Sequence, residues 1–400
     1  MTNNAATQGK AAGKVIRRVY LDHSATAPVD PLVLNEMLPY FSEIFGNASS
    51  AHSYGVEAHA AVDIARSRVA KMVDAAPDEI YFTGGGTESN NLAILGTAFL
   101  KQNKGGHFIT SAIEHPAVLA TMKHLETIGY EATFLPVDSE GLVDPDDVAK
   151  AMRKSTRLVS IMHANNEIGT VQPIGEIGKI AHEGGALFHT DAIQSASKIP
   201  LDVNKLNADF MSVTAHKMYG PKGVGMLYMK KGLSIQPLNF GGSHEKGLRP
   251  STSNVPGIVG FGKAAELAVR RLDTDVPRVT ALRERLIDGT ISSIKECYLT
   301  GHRTKRLPNS ASFRFRFIEG ESMMLHLDMA GIAASTGSAC STKSLKASHV
   351  LLALGLPAEE VHGSLRLSLG RGNTEEDIDY FLGEMPRIVG KLRAMSPLAK

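Results

Sequence analysis

The chain has 400 residues, 43% of them hydrophobic and 21% charged, and its 43 lysines and arginines nearly balance its 41 aspartates and glutamates. This composition is typical of a globular protein with a large core and two or three domains. A net charge of +2 argues against a protein whose main task is to bind nucleic acid or an anionic membrane. No apolar run reaches the roughly 18 residues that span a bilayer. Two cysteines exclude a disulfide scaffold and a four-cysteine metal site, so a reducing, cytoplasmic location is expected.

The first 18 residues are polar, small and basic, and they are expected to form a disordered leader. They contain no apolar segment of the kind that a secretory signal requires. The segment lacks acidic residues and carries Lys10, Lys14, Arg17 and Arg18, so an organellar transit peptide is an alternative. Its two arginines and its lack of serine favour the leader over the transit peptide.

From about residue 56 the chain alternates helical and strand-like patterns. A helical pattern at 62–73 is followed by a short strand at 79–83 and a second helix at 87–100. Further strand-like runs lie at 107–110, 132–137, 158–163, 187–191, 209–215 and 224–229. Alternating β and α units predict a mostly parallel sheet with helices on both faces. Ligands of such sheets bind outside the carboxyl ends of the strands.

After about residue 270 the pattern changes to that of a smaller α+β domain. An amphipathic helix with Val279, Leu282 and Leu286 on one face is followed by the run 312–317, whose period-two alternation predicts a half-exposed strand. The last helix is expected to open at Thr374 with a capping box.

A glycine-rich turn at 84–91 follows a predicted strand and opens a predicted helix. Glycines let the backbone approach a ligand closely, and the amino terminus of a helix favours phosphate. The segment is not a Walker loop, because no Lys-Ser/Thr pair follows, and its spacing is not that of a dinucleotide fingerprint. A simple tight turn between strand and helix is the alternative interpretation.

Two charged residues lie at the ends of predicted strands. Lys217 stands beside His216 before a glycine-rich turn, and a lysine that loses its charge through burial can form a Schiff base. A surface lysine in a loop is the alternative. Asp191 closes an apolar strand, where a buried carboxylate needs a cationic partner or else caps a helix. A phosphate cradle, an amine and a carboxylate together form the set that pyridoxal phosphate requires.

Two residues near the C-terminus are further candidates. Cys340 lies among small polar residues, where Lys343 and Lys346 favour its nucleophilic thiolate, and an ordinary unreactive thiol is the alternative. Cys297 is expected to be a partly buried, inert thiol. Arg366 interrupts an apolar strand, so it either faces solvent by alternation or clamps a carboxylate.

The histidines give weaker signals. His115 begins a predicted helix, and a lone histidine of this kind is more often structural. The 15 histidines show no His-Glu-x-x-His pattern, so no metal site is predicted.

Taken together, the motifs resemble those of the pyridoxal-phosphate-dependent cysteine desulfurases of the NifS/IscS type, within the class V aminotransferases. The resemblance runs from Val19 to about Pro397. It depends on six linked segments: 20–22, 46–47, 85–90, 165–169, 216–223 and 337–340.

The resemblance implies an α/β protein of fold-type I, with a mostly parallel seven-stranded sheet, flanking helices and a smaller α+β domain. It implies that 30–270 form a large cofactor-binding domain, and that 19–29 with 271–400 form a small domain carrying the mobile cysteine loop. The 1–18 leader lies outside both. The family also implies a homodimer.

The same resemblance assigns roles around the cofactor. Lys217 is similar to the lysine that forms the Schiff base and moves the α-proton of the substrate. Asp191 resembles the partner of the pyridinium nitrogen, and Gln194 resembles the contact to the ring hydroxyl. His115 resembles the histidine that stacks on the ring and shuttles protons.

Further roles follow by resemblance for the phosphate, the substrate and the sulfur. Asn166 and Arg366 resemble the pair that holds the carboxylate of L-cysteine, and Cys340 resembles the thiol that takes the sulfur as a persulfide and leaves alanine. The sulfur would go to iron–sulfur cluster assembly through a scaffold or another acceptor protein. The residues similar to phosphate contacts are Gly86, Thr87, Thr214, His216 and, from the second subunit, Thr252.

The sequence departs from the family pattern at several positions. Threonine stands at 214 for serine, His23-Ser24 replaces an Asn-Asn pair, and Ala48 replaces a proline. Ser251 replaces the glycine of the turn that carries Thr252, so that turn is expected to differ. Two other functions stay open: a pyridoxal enzyme acting on another amino acid, including selenocysteine, and a non-catalytic sulfur-trafficking subunit.

Overall fold

The structure is a computed structural model that describes residues 17–336 and 347–397. Most of the expected leader, residues 1–16, and the candidate nucleophile Cys340 lie outside these ranges. Arg17, where the described chain begins, forms an ion pair of 2.8 Å with Asp377. Within the described ranges, no helix combines the length and the hydropathy needed to cross a bilayer.

The strands of the described residues fall into three sheets. In chain order they are β1 (Val19–Tyr20), β2 (Ile80–Thr83), β3 (His107–Ser111), β4 (Glu131–Leu135), β5 (Thr156–Ser160), β6 (Leu187–Asp191), β7 (Phe210–Thr214), β8 (Gly225–Met229), β9 (Cys297–Leu299), β10 (Ser310–Phe315), β11 (Ile332–Ala333) and β12 (Ser364–Ser368).

The helices lie between and beyond these strands. In chain order they are α1 (Pro31–Met37), α2 (Pro39–Ser42), α3 (Ser53–Met72), α4 (Gly86–Ala98), α5 (Pro116–Thr127), α6 (Pro145–Ala151), α7 (Ile174–Glu183), α8 (Val255–Ser293), α9 (Gly320–Met329), α10 (His349–Ala353), α11 (Ala358–Val361) and α12 (Glu375–Met395).

In the described part of the chain the central sheet has seven strands in the order β2-β8-β7-β6-β5-β3-β4, and β8 runs antiparallel to the other six. Because side chains alternate between the faces of a sheet, Phe108 and Phe210 pack under α4 and α5, while Ile109 and Met211 face the other side. That side is covered by α3, α7 and α8. The predicted mostly parallel, seven-stranded α/β architecture is confirmed.

A second core lies where the C-terminal part of the chain meets the N-terminal strand. Strands β9, β10 and β12 form an antiparallel sheet, and Val19 and Leu21 pack into the same core as α8 and α12. The alternation predicted for 312–317 is present, because Phe313 and Phe315 are buried whereas Arg314 and Arg316 are partly exposed, although β10 itself ends at Phe315. The capping box at Thr374 is present.

Helix α8 continues through the change of pattern at residue 270. It spans 39 residues and contains Pro277, so the expected domain boundary falls inside one helix. Arg271 on this helix pairs with Asp30 at 2.8 Å. Arg278 donates hydrogen bonds to the backbone carbonyls of Asn373 and Arg371. These contacts tie the polar middle of α8 to both cores.

Candidate active site

A cavity of about 310 Å³ opens at the carboxyl ends of β6 and β7 and at the amino terminus of α4. All the residues predicted for the site, except Thr252 and Cys340, line it together with a few neighbours. The lining residues are Ser24, Ala25, Gly86, Thr87, His115, Met162, Asn166, Asp191, Ile193, Gln194, Thr214, His216, Lys217 and Arg366. The fold thus gathers residues from both cores at the edge where parallel sheets bind ligands.

Asp191 is the last residue of β6, and its carboxylate is buried. Asn90 donates a hydrogen bond of 2.7 Å to Oδ2, and the backbone N–H of Ile193 donates one of 3.0 Å to Oδ1. Burial raises the pKa of Asp191, and the nearby His115 opposes this shift. Asp191 therefore holds the turn after its strand. It also presents to the cavity a carboxyl group whose pKa depends on its charged neighbours.

Lys217 lies in the short turn after β7 and is half-buried. Its amine donates hydrogen bonds to the carbonyl oxygen of Ala25, at 2.7 Å, and to that of Ser24. The side-chain amide of Gln194 donates to the same Ser24 carbonyl at 3.0 Å. The alternative of a solvent-exposed loop lysine is wrong, because the turn folds back against the segment after β1.

His115 is the residue before α5, and its Nδ1 accepts a hydrogen bond of 3.1 Å from the backbone N–H of Ala117. Burial lowers the pKa of His115, so the neutral ring is favoured. Its neighbour Glu114 is buried, and its carboxyl accepts hydrogen bonds from Ser111 and from the Met162 backbone. Burial raises the pKa of Glu114 to about 8.

The candidate phosphate side of the cavity is formed by the start of α4. A Cβ at Gly86 would lie 2.1 Å from Cδ1 of Ile193, so a side chain there would collide with the turn after Asp191. Thr214 donates a hydrogen bond of 3.1 Å to the Val224 carbonyl. Nδ1 of His216 lies 3.1 Å from the Thr26 hydroxyl. Burial, with Lys217 and other cations nearby, lowers the pKa of His216 to about 4.

Arg366 enters the site from β12 and is 3% exposed, so the alternative of a solvent-facing arginine is wrong. Its Nη2 pairs with Oδ1 of Asp22 at 2.8 Å, and its Nη1 donates to the Asn166 carbonyl at 3.2 Å. Its Nε is buried without a hydrogen-bond partner among the described residues. Two of the three guanidinium nitrogens thus have partners, and Nε keeps donor capacity for a ligand.

Of the other predicted features, Thr252 and Cys297 lie away from the cavity, and Cys340 is not described. Thr252 is exposed and is not among the lining residues, and the preceding Ser251 has φ +133°, a value that glycine adopts far more readily. Cys340 lies outside the described residues. Cys297 is buried as expected, and burial raises the pKa of its thiol to about 12.

The residues of the cavity fit pyridoxal phosphate. They combine an amine, a buried carboxylate and a helix amino terminus in a space of about 310 Å³. Within the described chain, Oε1 of Gln194 is buried without a hydrogen-bond partner, which suits a ligand carrying a hydroxyl group. The carboxylate suits a protonated ring nitrogen, the amine suits an aldehyde, and the helix amino terminus suits a phosphate.

A family model described as aminotransferase class-V matches residues 19–381. The chain belongs to the class-V aminotransferase family. A curated relative, the cysteine desulfurase IscS of Dictyoglomus turgidum, is 52% identical over 381 residues, which is 95% of this chain and 97% of that protein.

The fold of this class-V aminotransferase family member is similar to those of solved structures. A NifS-like protein superposes with a TM-score of 0.89 at 40% identity, covering 94% of this chain and 100% of that one. A structure titled SspA in complex with cysteine has a TM-score of 0.78 at 38% identity, covering 88% and 98%. The NifS/IscS resemblance expected from the motifs is confirmed.

Sequence reasoning missed several residues of this class-V aminotransferase site. Asn90 and Asp22 both stand inside motifs that the sequence singled out, yet their partners Asp191 and Arg366 could not be paired with them before the fold was known. Glu114 gave no signal beyond its place beside His115. A buried carboxyl group is visible only in three dimensions.

Proposed function

We propose that the protein is a pyridoxal-phosphate-dependent cysteine desulfurase. It converts L-cysteine to L-alanine and moves the sulfur to its own Cys340, supplying sulfur for iron–sulfur cluster assembly. The observation that carries the proposal is the shared cavity of Lys217, Asp191 and Arg366, which offers an amine, a carboxylate and a guanidinium to one ligand. The similarity to a protein named cysteine desulfurase IscS supports it.

Pyridoxal phosphate, when bound, supplies an aldehyde that reacts with amines and a ring that withdraws electrons from the α-carbon of an amino acid. Asp191 would pair with the protonated ring nitrogen, because its carboxylate is buried and held by two donors. Gln194 would contact the ring hydroxyl, His115 would lie against the ring, and the amine of Lys217 would bond to the aldehyde.

The phosphate would lie at the amino terminus of α4, where backbone N–H groups lack partners within the helix. The contacts would come from Gly86, Thr87, Thr214 and His216, all of which line the cavity. We also propose a contact from the partner subunit's Thr252, which is exposed in each chain and therefore available to another.

Arg366 and Asn166 would hold the carboxylate of L-cysteine. Arg366 is buried, and Asp22 and the Asn166 carbonyl fix its direction. A guanidinium oriented in this way forms charge-assisted hydrogen bonds with a carboxylate. The substrate would thus be anchored at the end of the cavity formed by the small core.

Two groups would handle protons. The amine of Lys217, once released by the incoming substrate amine, would take the proton from the α-carbon. His115 is kept neutral by burial, and its Nδ1 is occupied by the Ala117 N–H, so Nε2 is the atom that would accept or deliver a proton.

The thiolate of Cys340 would form a bond to the substrate sulfur as the carbon–sulfur bond breaks, leaving a persulfide on the enzyme and alanine as product. The described chain on either side of 337–346 supports this role. Before the gap, Ser335 exchanges two backbone hydrogen bonds with Arg366. After it, the Ser348 hydroxyl donates to Glu167, next to Asn166. The first end therefore contacts Arg366 of the cavity lining, and the second contacts the chain neighbour of Asn166.

A homodimer is supported by an apolar surface on the first three helices and the segments that join them. Eight large side chains there are each at least 46% exposed, an unusual density for a monomer. They are Leu32, Leu34, Leu38, Phe41, Phe45, Tyr54, Val56 and Ile64. L-cysteine and a sulfur-accepting protein, such as an iron–sulfur scaffold, are the other proposed partners.

The proposed domain division assigns 30–270 to the large domain and 19–29 with 271–400 to the small one, with α8 shared between them. The core that contains Val19, Leu21 and α12 supports the small domain. A cytoplasmic location is proposed as well, supported by Cys297, which is a free thiol.

Mass spectrometry of the intact and digested enzyme after treatment with L-cysteine tests the proposal. The peptide containing Cys340 is expected to gain the mass of one sulfur atom while alanine appears in solution. Cys340→Ala should abolish sulfide release, and Cys297→Ala, the matched control, should retain it. Sulfur bound at Cys297, or desulfuration that persists in Cys340→Ala, would reject the proposed role.

A further inference from the structure

The amine of Lys217 is held by the turn that follows β1. It donates hydrogen bonds to the backbone carbonyl oxygen of Ser24 and, at 2.7 Å, to that of Ala25. The backbone of Lys217 is held separately, since the buried Lys198 donates from its Nζ to the Lys217 carbonyl oxygen at 3.5 Å. The position of the amine itself therefore depends on where the carbonyls of Ser24 and Ala25 lie.

Strand β12 anchors this turn through Ser368. The backbone N–H of Ser368 donates to the Leu21 carbonyl at 2.7 Å, and its carbonyl accepts from the His23 N–H at 3.2 Å. Its hydroxyl oxygen accepts a further hydrogen bond of 2.8 Å from the N–H of Ser24. Ser24 and Ser368 are both buried, and a buried N–H that loses its acceptor is costly. The Ser368 hydroxyl therefore fixes the backbone of Ser24.

The side chains of β12 alternate between the small core and the cavity. Leu365 and Leu367 pack into the core that also contains α12, whereas Arg366 lines the cavity. Ser368 follows Arg366 by two positions, so it lies on the same face of the strand. One strand thus carries the guanidinium proposed to bind the substrate carboxylate and the hydroxyl that anchors the turn beside Lys217.

We propose that Ser368 is a positioning residue for Lys217: its hydroxyl fixes the Ser24 backbone and thereby the carbonyl oxygens that orient the amine. The amine needs a defined direction twice, when it bonds to an aldehyde and when it takes a proton from the α-carbon. A shift of the turn would change that direction without altering the contact between Arg366 and the substrate. This inference rests on the proposed function, which makes Lys217 the lysine that binds the cofactor.

The first measurement is the rate at which acetic anhydride labels Lys217 in the full-length, cofactor-free protein, quantified by peptide mass spectrometry relative to the exposed Lys179. An amine held by two carbonyl oxygens reacts more slowly than one that is released. Lys217 of Ser368→Ala should therefore be labelled about fivefold faster than in the wild type, a factor equivalent to one ordinary hydrogen bond. Ser368→Thr keeps the hydroxyl and should stay near the wild-type rate. Ser364→Ala, which removes another buried hydroxyl from the same face of β12, is the matched control and should change nothing.

The second measurement is the steady-state release of sulfide from L-cysteine by the cofactor-loaded enzyme. In Ser368→Ala, kcat should fall by about tenfold, because a small displacement of a reacting group slows its step strongly, whereas KM should change by less than about threefold. General damage to β12 would instead displace Arg366 and raise KM. The comparison of kcat with KM therefore separates a positioning role from a merely structural one.

Equal labelling of Lys217 in folded Ser368→Ala and Ser364→Ala proteins would overturn the inference. So would a Ser368→Thr protein that behaves like Ser368→Ala, or a raised KM with an unchanged kcat. Folding is checked by the thermal midpoint, and Ser368→Cys, similar in size but a poor acceptor, is the substitute if the alanine variant does not fold. The labelling measurement involves neither cofactor nor substrate. A failure of the proposed function, seen as the absence of sulfur transfer from L-cysteine, is therefore distinguishable from a failure of this inference.

Discussion

Asn90 donates a hydrogen bond of 2.7 Å from its side-chain amide to Oδ2 of Asp191, and both residues are buried. Asn90 is the fifth residue of α4, the helix whose first turn lies at the candidate phosphate position. The bond thus links the two ends of the proposed cofactor site, the carboxylate for the ring and the helix for the phosphate. This hydrogen bond fixes the orientation of the Asp191 carboxylate.

Replacing Asn90 by alanine is expected to weaken binding of pyridoxal phosphate by about 10- to 100-fold, because a hydrogen bond to a charged group contributes about 1.5–3 kcal/mol. The measurement is a titration of cofactor-free protein with pyridoxal phosphate, followed by visible absorbance. Asn91→Ala, which removes the neighbouring amide on the same helix, is the control. Equal affinities for Asn90→Ala and Asn91→Ala would contradict the role given to this bond.

The central sheet could be predicted from the sequence because its strands are short apolar runs closed by glycine or by polar residues. Asp191 and Lys217 stand at such strand ends, so their meeting at one edge follows from parallel topology. The length of α8 could not be predicted, since its middle contains Pro277 and many charges. Its carbonyl and carboxylate partners come from residues about 100 or more positions away, such as Asn373 and Asp30.

The burial of several polar residues could not be predicted from the sequence either. Lys198 and Glu114 carry no pattern that separates them from exposed lysines and glutamates, since burial of such residues is rare. The same limit applies to Asp22, whose partner Arg366 lies 344 positions further along the chain.

Arg366→Lys is expected to raise the KM for L-cysteine by about tenfold or more and to change kcat much less, because lysine cannot reproduce the planar fork of a guanidinium. Steady-state sulfide release measures both constants. Arg314→Lys, on the neighbouring strand β10 and away from the cavity lining, is the matched control. A lowered kcat with an unchanged KM in Arg366→Lys would argue against a carboxylate contact.

The stability of the protein should depend on Glu114 between about pH 5 and pH 8. Burial raises the pKa of Glu114 to about 8, above its ordinary value of 4.5, so the folded state binds a proton that the unfolded state releases in this range. The wild type should therefore lose stability relative to Glu114→Gln as the pH rises through this window.

Thermal midpoints of both proteins at several pH values give this comparison. Glu126→Gln, at an exposed position on α5, should track the wild type at every pH. A constant difference between wild type and Glu114→Gln would mean that Glu114 is ionised in the folded protein.

Ser251→Gly is expected to stabilise the protein by about 1 kcal/mol, because a residue with a side chain is strained at positive φ. Ser251 has φ +133°, whereas Ser253, two residues further on, is not among the residues with positive φ. Ser253→Gly should therefore be neutral or destabilising. Denaturant unfolding compares the two variants, and a loss of stability in Ser251→Gly would show that its backbone conformation is not strained.

The most direct test of the central claim is to reduce the cofactor-loaded enzyme with borohydride and to locate the pyridoxyl group by peptide mass spectrometry. The group should be found on Lys217, and Lys217→Ala should lack both the label and the visible absorbance. Modification of Lys198 or Lys222, the other lysines around the site, or a protein that takes up no label would contradict the account.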